Sequence, residues 1–460
     1  RCVRARRRRH PRRSRVILEP RAARAWLDAH TNLETGVGVP ARGGRDSAGR
    51  PAKRLLAVER QRPLMDLLGS PQGEYPVVHL TGTNGKTSVA RMTAALLEAA
   101  GLSVGAYTSP HLARVNERMV WNGEPVADDV LDELLVAVAA VEDLLPDAPS
   151  YFEILTAAAL RWFGDIAVDV AVVEVGLGGA GDATNVVDAD VAVVTNVSID
   201  HVEYIGPTLS DIAAEKAGIV DSTSALVLGE TDPALVPYFL SRDPASVARR
   251  DVEFGVRENR LAIGGRVLDL YTPHASYDDV FLALHGAHQA DNAAVALTAA
   301  ESFLGRALEA ELVADAFASV RTPGRLEVVG HQPLVLLDGV KNVAGAHALR
   351  AALAAEFADS PRTLVVGLMR EKEPHEMLEA LGAVDAARLV CCRPDSPRGH
   401  DAHVVAEAAY DLGADHAVVD VIDDVREAVA FAVEVTPRDG QVVITGSLYV
   451  VSPARAVLVD

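Results

Sequence analysis

One stretch constrains this fold more than any other: an apolar run, a glycine-containing loop and an amphipathic helix that follow each other without a break. The apolar run covers residues 77–80 and gives way to the loop Thr-Gly-Thr-Asn-Gly-Lys-Thr-Ser at 81–88. The segment that follows places Val89 and Leu96 on one helical face, and Gly101 stands where the helix should end. This order predicts a buried strand, a tight turn and a helix whose N-terminus faces the turn.

Such a turn suits the phosphates of a nucleoside triphosphate. Glycines let backbone N–H groups approach the phosphates, and the helix N-terminus adds positive potential. Lys86 adds a point charge, and a hydroxyl group can reach Mg²⁺. The common pattern G-x-x-x-x-G-K-[ST] is met only in the shorter form G-x-x-G-K-T, because Leu80 stands where its first glycine is expected. The predicted nucleotide-binding residues of the loop are Gly82, Thr83, Asn84, Gly85, Lys86, Thr87 and Ser88.

Two further apolar runs predict buried strands of a parallel sheet. They cover residues 169–175 and 190–195. Glu174 stands near the C-terminal end of the first run. Ligands of open α/β sheets gather at those ends, so this carboxylate is a candidate metal ligand. Other predicted elements are helices at 21–34, 52–68, 127–145 and 151–163, a strand at 103–108, strands with a hairpin at 224–284, and two helices at 288–320.

A change of pattern at residues 321–325 predicts a boundary between two domains, as expected for a chain of 460 residues. Proline and glycine interrupt the helical pattern there, and short apolar runs then alternate with helical segments. We therefore predict an α/β protein in which a P-loop ATPase domain with a parallel sheet, residues 21–321, precedes a smaller, doubly wound, Rossmann-like domain, residues 326–460. The strands predicted for the second domain are 334–337, 364–366, 389–391, 417–419 and 442–444.

Composition excludes several classes of protein. The formal net charge is −20, so we do not expect the chain as a whole to bind nucleic acid. No apolar run is long enough to span a membrane, and the three cysteines form neither a disulfide framework nor a zinc site. We expect a cytoplasmic protein with no membrane partner.

The N-terminus departs from this acidic composition. The first fifteen residues contain nine arginines and no acidic residue. We interpret residues 1–20 as a disordered tail or an upstream extension of the reading frame, because no hydrophobic period runs through them. The alternative is an arm that binds a polyanion.

Ten stretches, in one order, resemble the folylpolyglutamate synthase/dihydrofolate synthase family of the Mur-ligase superfamily. They include TGTNGKTS, EVGLGGAGDATN, DIAAEKAGI, HQADNAAVAL and LDGVKN. The resemblance covers the chain from about residue 22 to its end. The ten stretches are 81–88, 107–118, 150–160, 174–185, 195–206, 211–219, 288–297, 323–327, 337–342 and 445–451.

What the resemblance implies is an ATP-dependent amide ligase with a Mur-ligase-like fold. The γ-phosphate of ATP passes to a substrate carboxylate, and the amine of L-glutamate attacks the acyl phosphate. The implied acceptors are dihydropteroate and the γ-carboxylate of reduced folates, and the expected enzyme is a monomer. The protein's task is then to position groups and to neutralise charge around the transferred phosphoryl group.

The resemblance also implies a metal centre with two Mg²⁺ ions. Ser109 and Glu174 match ligands of the first ion, and both offer the oxygen donors that a hard cation requires. His201 matches a ligand of the second ion. Lys216 matches a lysine that carries a carbamate, a change that turns a cationic amine into an anionic metal ligand. Outside this resemblance, Lys216 would be interpreted as a surface lysine paired with Glu215.

Two further sets of residues follow from the same resemblance. The second domain and the linker would supply an arginine to the phosphates and an aspartate to the ribose, so that catalysis requires the two domains to close. The positions implied to contact the nucleotide are Asn292, Arg325 and Asp338. The implied catalytic residues are Lys86, Lys216, His201 and Lys341.

One departure from the family pattern is chemically significant. The family usually reads D-[GA]-A-H-N-P where this chain has Asp-Gly-Val-Lys-Asn-Val at 338–343, so Lys341 replaces a histidine. A lysine keeps a phosphate contact but does not titrate near neutral pH as histidine does. Two alternatives therefore stay open. One is a Mur-superfamily ligase with another acceptor, although the phosphate loop begins too early for a separate nucleotide-sugar domain. The other is a nucleotide-binding protein whose catalysis is impaired by Lys341.

Overall fold

The computed structural model describes residues 18–32, 57–357 and 360–459. Residues 1–17, which form most of the predicted arginine-rich tail, lie outside the described residues, so that interpretation stays a prediction. The described residues form fourteen α-helices and seventeen β-strands.

The first and larger part of the described chain extends from α1 to α9. Its helices are α1 (Ala23–Asp28), α2 (Ala57–Leu67), α3 (Lys86–Ala99), α4 (Asp128–Glu142), α5 (Tyr151–Asp165), α6 (Leu209–Lys216), α7 (Val236–Leu240), α8 (His288–Leu304) and α9 (Ala310–Ser319). Its strands are β1 (Val77–Thr81), β2 (Val104–Tyr107), β3 (Met119–Trp121), β4 (Glu124–Pro125), β5 (Val170–Glu174), β6 (Val191–Val194), β7 (Ala225–Leu228), β8 (Ser246–Arg249), β9 (Gly255–Ala262), β10 (Gly265–Tyr271) and β11 (Ser276–Leu282).

An eight-stranded sheet forms the centre of this part. Its strand order is β4-β3-β2-β5-β1-β6-β7-β8. The strands from β2 to β8 in this order are parallel, and β3 and β4 add an antiparallel edge that the sequence pattern did not reveal. The predicted parallel sheet is confirmed. Every residue of β1 and β5 is buried, as expected for strands covered on both faces.

Alternate residues of each central strand pack against different helices, because side chains of a strand point to opposite faces. Val78 and Leu80 belong to a core that includes α3, α8 and α9. Val77 packs on the other face, in a core that includes α4 and α5. The sheet therefore lies between two helical layers, and its carboxyl ends are left at one edge.

A second, antiparallel sheet of order β11-β10-β9 packs on the α8 and α9 side. The hairpin predicted between residues 224 and 284 is therefore part of a three-stranded sheet. The short helix α7 lies inside the same predicted strand region. It spans five residues and begins with a proline near its start, so it is too short to leave a helical period in the sequence.

The C-terminal part of the chain is built on a six-stranded sheet of order β12-β13-β17-β14-β15-β16. Only β12 runs antiparallel, and the doubly wound arrangement is confirmed. The elements are β12 (Glu327–His331), β13 (Leu334–Asp338), α10 (Val343–Glu356), β14 (Arg362–Val366), α11 (Pro374–Leu381), β15 (Arg388–Cys391), α12 (Ala402–Asp411), β16 (Val419–Val421), α13 (Val425–Val435), β17 (Gln441–Thr445) and α14 (Leu448–Leu458).

Helices cover both faces of this second sheet. Leu336 and Val366 pack with α10, α11 and α12, whereas Val335 and Leu337 pack with α13 and α14. The carboxyl ends of β13, β14 and β17 again lie at one edge, where loops can carry functional groups.

One strand predicted for this part was wrong in detail, and one strand was not predicted. The strand predicted at 417–419 begins only at Val419, and His416–Val418 forms a 3₁₀ turn. Asp415 stabilises that turn, since its Oδ1 accepts a hydrogen bond of 2.9 Å from the backbone N–H of Ala417. Strand β12 was not predicted, because it is only half-buried and lacks a continuous apolar run.

Within the described residues, no helix combines the length and the apolar character needed to cross a membrane.

Candidate active site

The glycines of the phosphate loop allow two close approaches between β1 and α3. Gly82 has φ of +154°, and a Cβ there would lie 1.8 Å from Oγ1 of Thr195. Gly85 has φ of +82°, and its Cβ would lie 2.5 Å from Oδ1 of Asn292. A side chain at either position is excluded by both backbone conformation and space. The second contact also brings Asn292, the predicted nucleotide-binding residue of α8, against the loop.

The loop that follows β6 holds the phosphate loop in place. The side-chain amide of Asn196 accepts from the N–H of Asn84 and donates to its carbonyl, each at 3.0 Å. Thr83 Oγ1 donates to the carbonyl of Ser198 at 3.1 Å. These neighbours were not among the predicted site residues, although they follow a predicted strand end.

Lys86 lies at the first position of α3, and Ser88 is buried in the same turn. The Lys86 ammonium donates to the carbonyl of Gly82 at 2.9 Å. Burial, followed by the charge of Lys341, lowers the pKa of Lys86 to about 8, while Glu174 opposes the shift. The group is therefore cationic near pH 7 and faces the space above the loop.

Glu174 ends β5 beside the phosphate loop and is 1% exposed. The hydroxyl of Thr87 donates to both of its carboxylate oxygens at 3.0 Å, and the N–H of Ser109 donates at 3.1 Å. Burial raises the pKa of Glu174, whereas Lys86 and these donors lower it. The predicted ligands Ser109 and Glu174 thus meet, together with Thr87.

A cavity of about 260 Å³, which we name the His201 cavity, gathers the predicted catalytic residues. Lys216, at the end of α6, is 3% exposed and therefore not a surface lysine. The carboxylate of Glu215 contacts the glycine loop, where its Oε1 accepts from the N–H of Gly181 at 2.8 Å. The cavity is lined by Gly82, Thr83, Lys86, Gly176, Leu177, Gly178, Asp200, His201, Ile205, Ile212, Lys216 and Lys341.

Two titratable groups in this cavity are strongly perturbed. Burial lowers the pKa of Lys216 well below its ordinary value, and the charges of Lys86 and Lys341 lower it further. Burial and the charge of Lys341 also lower the pKa of His201 to about 3. The imidazole is therefore neutral near pH 7, and the Lys216 amine loses its proton readily.

The C-terminal domain contributes to this cavity through three residues that contact Asp200 of the larger domain. Lys372 Nζ lies 2.7 Å from Asp200 Oδ1, and Lys341 Nζ lies 3.6 Å from Oδ2. Asn342 Nδ2 donates to Asp200 Oδ2 at 3.1 Å and to Asn84 Oδ1 at 3.0 Å. Burial alone would raise the pKa of Asp200, but the neighbouring cations outweigh it and hold the pKa well below its usual range.

Arg325 and Asp338 lie where the linker meets β13. Arg325 donates to the carbonyl of Gly339 at 3.0 Å, and Asp338 Oδ2 accepts from the N–H of Leu326 at 2.8 Å. Burial raises the pKa of Asp338 to about 6, and Arg325 opposes that shift. Arg325 also lines a second cavity, of about 450 Å³, bounded by Thr87, Arg91, Thr108, Pro110, Leu112, Glu117, Thr322, Pro323, Arg325 and Leu448.

Two models of known domain families match the chain. The Mur ligase middle domain matches residues 132–300, and the Mur ligase glutamate ligase domain matches residues 324–448. A dihydrofolate synthase/folylpolyglutamate synthase of Mycobacterium tuberculosis is 40% identical over 436 residues, which cover 87% of this chain and 89% of that protein. This chain belongs to the folylpolyglutamate synthase/dihydrofolate synthase family.

Other folylpolyglutamate and dihydrofolate synthases extend the similarity. The dihydrofolate synthase/folylpolyglutamate synthase of Bacillus subtilis is 31% identical, and the match covers 86% of this chain and 93% of that protein. A crystal structure of the M. tuberculosis folylpolyglutamate synthase complexed with ADP and AMPPCP matches with a TM-score of 0.82 at 40% identity, over 88% of this chain and 95% of that one. E. coli FolC in complex with DHPP and ADP matches with a TM-score of 0.80 at 28% identity, over 95% and 97%. Like its family, this chain is an ATP-dependent, amide-forming ligase.

Sequence reasoning missed three residues that the fold of this chain brings together. Asp200, Asn342 and Lys372 meet in the structure although up to 172 residues separate them. Asp200 and Asn342 lie in stretches that carry the family resemblance, at 195–206 and 337–342. The available signal was the scarcity of lysine, which makes Lys372 conspicuous in a chain rich in arginine.

Proposed function

We propose that this chain joins L-glutamate to dihydropteroate, to the γ-carboxylate of reduced folates, or to both, through an acyl phosphate. A carboxylate is a poor electrophile, and phosphorylation turns one of its oxygens into part of a leaving group. The observation that carries the proposal is the meeting of Lys86, His201, Lys216 and Lys341 at one cavity beside the phosphate loop. This arrangement supports transfer of phosphate to an acid rather than nucleotide binding alone.

In this proposal the nucleotide lies along the loop and the linker. The loop residues from Gly82 to Ser88 offer backbone N–H groups and the N-terminus of α3 to the phosphates. Asn292 contacts the loop beside Gly85, which supports its role near the nucleotide. Arg325 would reach the phosphates and Asp338 the ribose.

A Mg²⁺ ion fits the group formed by Thr87, Ser109 and Glu174. A buried carboxylate with a threonine hydroxyl 3.0 Å away is the oxygen donor set that such a hard cation prefers. When bound, the ion supplies charge neutralisation at the transferred phosphoryl group. The side chains that hold it also fix the carboxylate against the start of α3.

We further propose that Lys216 carries a carbamate. Its buried amine has a strongly lowered pKa, so the neutral form that attacks CO₂ is available. The amine nitrogen forms a bond to the carbon of CO₂ and releases one proton, leaving an anionic carboxylate. That anion would offset the charges of Lys86 and Lys341 in the same cavity. With His201, it is also the predicted ligand set of a second Mg²⁺.

The proposed domains are residues 21–321 and 326–460, and separate hydrophobic cores on the two sheets support this division. In this proposal the enzyme acts on small molecules as a cytoplasmic monomer. Its site is assembled by residues of one chain, among them Asp200 and Asn342 from the two parts.

The decisive experiment measures ADP release by the purified protein with ATP and L-glutamate. Dihydropteroate, tetrahydrofolate and a UDP-muramoyl peptide are supplied in turn as acceptors. We expect release with one or both pteridine substrates and none with the muramoyl peptide. Release with the muramoyl peptide alone would replace the folate proposal with a different acceptor class. No release with any acceptor would favour a nucleotide-binding protein.

Lys86→Ala tests whether the phosphate loop performs this chemistry. Removing one preorganised charged donor should lower ADP release by about 10²–10³-fold. Arg350→Ala removes an exposed cation of α10 and serves as the control with unchanged rate. Equal rates for the two variants would show that the phosphate does not react at this loop.

A further inference from the structure

Lysines are rare in this chain and gather at one place. Of its 44 lysines and arginines, only five are lysines, at positions 53, 86, 216, 341 and 372. Position 53 lies outside the described residues. The other four line the His201 cavity or pair with its Asp200 carboxylate. Arginine carries positive charge elsewhere, so this cavity uses the compact charge of ammonium groups rather than the planar guanidinium.

Lys341 occupies a particular position among them. It lies in the loop between β13 and α10 and extends from the C-terminal domain to Asp200 and His201, in the loop that follows β6. Its Nζ lies 3.4 Å from Nε2 of His201 and 3.6 Å from Oδ2 of Asp200. The neighbouring Asn342 fixes this approach by donating to Asp200 Oδ2 at 3.1 Å.

This geometry conflicts with a second divalent cation on His201. A neutral imidazole has one ring nitrogen that can accept a hydrogen bond or bind a metal. When Nε2 of His201 accepts from the Lys341 ammonium, it has no lone pair left for an ion. A divalent cation there would also lie within a few ångströms of the ammonium, and the two would repel strongly in a partly dehydrated cavity.

Asp200, the acidic side chain beside His201, does not offset this conflict. Asp200 already accepts from Lys372 at 2.7 Å and from Asn342 at 3.1 Å. Among the described residues, no three histidine, cysteine, aspartate or glutamate side chains form a group that could hold a metal ion. The set formed by Thr87, Ser109 and Glu174 differs, because its donors are hydroxyls and one carboxylate that no lysine pairs with directly.

We propose that the Lys341 ammonium takes the place of the second Mg²⁺, so that this ligase works with one divalent ion where its family pattern predicts two. The inference rests on the proposed function, since the charge it supplies faces the transferred phosphate. Because Lys341 belongs to the C-terminal domain, that charge reaches the cavity only when the two domains are in contact. The lysine that replaces the family's histidine then supplies from its own side chain the positive charge that a bound Mg²⁺ would otherwise supply.

The test counts ions rather than turnover. The full chain is dialysed to equilibrium against Mn²⁺ and the β,γ-methylene analogue of ATP, in a buffer that contains bicarbonate. The ratio of bound Mn²⁺ to bound nucleotide is then measured. We expect a ratio of one for the wild-type chain and for Lys341→Arg, which keeps the cation. We expect a ratio of two for Lys341→His, with the broadened electron paramagnetic resonance spectrum of two neighbouring manganese ions.

Several outcomes overturn the inference. A ratio of two in the wild-type chain would show that both ions bind beside Lys341. A ratio of one in Lys341→His would show that the lysine does not exclude the second ion. If Lys341→His fails to bind the nucleotide, the same ratio is measured for Lys341→Ala, which should also bind two ions. Arg350→His also replaces a cationic side chain by histidine, at an exposed position of α10, and should keep the wild-type ratio.

Failure of the proposed function would look different. A wild-type chain that binds no analogue at all contradicts the nucleotide site itself. A chain that binds the analogue with two manganese ions keeps the proposed function and loses only the exchange at Lys341.

Discussion

Asp338 carries a carboxylate at a place where almost no water reaches it. It is 9% exposed and is stabilised by the N–H of Leu326 and by the charge of Arg325. Glu174 shows the same tension, because burial raises its pKa while Lys86 lowers it. Such groups cost stability and persist where they serve a ligand. Each of these two buried carboxylates lies near a cation from another part of the chain.

The pH dependence of stability should report the burial of Asp338. Its pKa rises from 3.8 to about 6 in the folded chain, so the folded state holds this proton more tightly than the unfolded state. Ionisation of Asp338 therefore lowers the free energy of unfolding as pH rises from 3.8 to about 6, and it has no further effect above that range. In Asp338→Asn this loss disappears. Between pH 3.8 and about 6, the free energy of unfolding of the variant should therefore rise by up to about 3 kcal/mol relative to that of the wild type.

Urea unfolding at a series of pH values measures this difference. Asp385→Asn, at an exposed ion pair, is the matched control and should follow the wild-type pH dependence. If Asp338→Asn and wild type lose stability in parallel, the buried carboxylate is not the source of the effect.

At the scale of elements, the β1–α3 unit shows why the loop needs its glycines. The buried face of α3 includes Val89, Met92 and Leu96, which fixes the helix against the sheet. The turn between strand and helix then has no freedom to move away from its neighbours. Thr195 and Asn292 approach it on either side, so the positions that face them lack a Cβ.

Gly82→Ala and Gly101→Ala separate close approach from backbone strain. Both glycines have positive φ, +154° and +89°, but only Gly82 has a neighbour within 4 Å of an added Cβ. We expect Gly101→Ala to cost about 1 kcal/mol and to leave nucleotide binding unchanged. Gly82→Ala should cost about 3 kcal/mol or more and abolish binding of an ATP analogue.

Urea unfolding and titration with the analogue check both variants. An equal loss of stability in the two variants, with binding intact, would mean that the loop can withdraw from Thr195. That result would contradict the rigid loop described above.

At the scale of the whole molecule, helix α10 connects the two domains at both of its ends. Asn342 caps its start and donates to Asn84 and Asp200 of the larger domain. Glu356 at its end is buried and pairs with Arg266 of β10, and it also accepts from the N–H of Gly286 at 2.9 Å. The helix therefore positions the loop that carries Lys341 relative to the phosphate loop.

Glu356→Gln tests this second connection. The change leaves the guanidinium of Arg266 buried without its counter-charge, which should cost about 3–5 kcal/mol at the domain contact. We expect the C-terminal domain to unfold in a separate, earlier transition and the linker at 321–325 to be cleaved faster by protease. The affinity for an ATP analogue should fall as well, because Lys341 and Arg325 lose their position.

Asp385→Asn breaks an exposed ion pair of the same helix and is the control. Arg350 and Asp385 are 49% and 69% exposed, so this variant should change the free energy of unfolding by less than about 1 kcal/mol. A single transition at wild-type stability in Glu356→Gln would show that the buried pair does not hold the domains together.

Much of the fold could be predicted because its signals are local. The continuous apolar runs of β1, β5 and β6 reflect burial on both faces, and the glycines and Lys86 of the loop stand next to each other in the chain. Elements without such a signal escaped: β12 is half-buried, and α7 is shorter than two helical turns. The N–H of Ser109 reaches the carboxylate of Glu174 because Glu174 ends β5 and Ser109 follows β2, the neighbouring parallel strand.

The sequence by itself determined the phosphate loop, the two α/β sheets and the chemical types available at their carboxyl ends. Only the tertiary structure decided which of those groups lie close enough to interact electrostatically. Lys341 lies 140 residues from His201, and Lys372 lies 172 residues from Asp200, so no local period relates them. Their contacts exist because two separately folded sheets present their carboxyl edges to each other. That juxtaposition is set by packing between domains, which the order of residues along one strand or helix does not record.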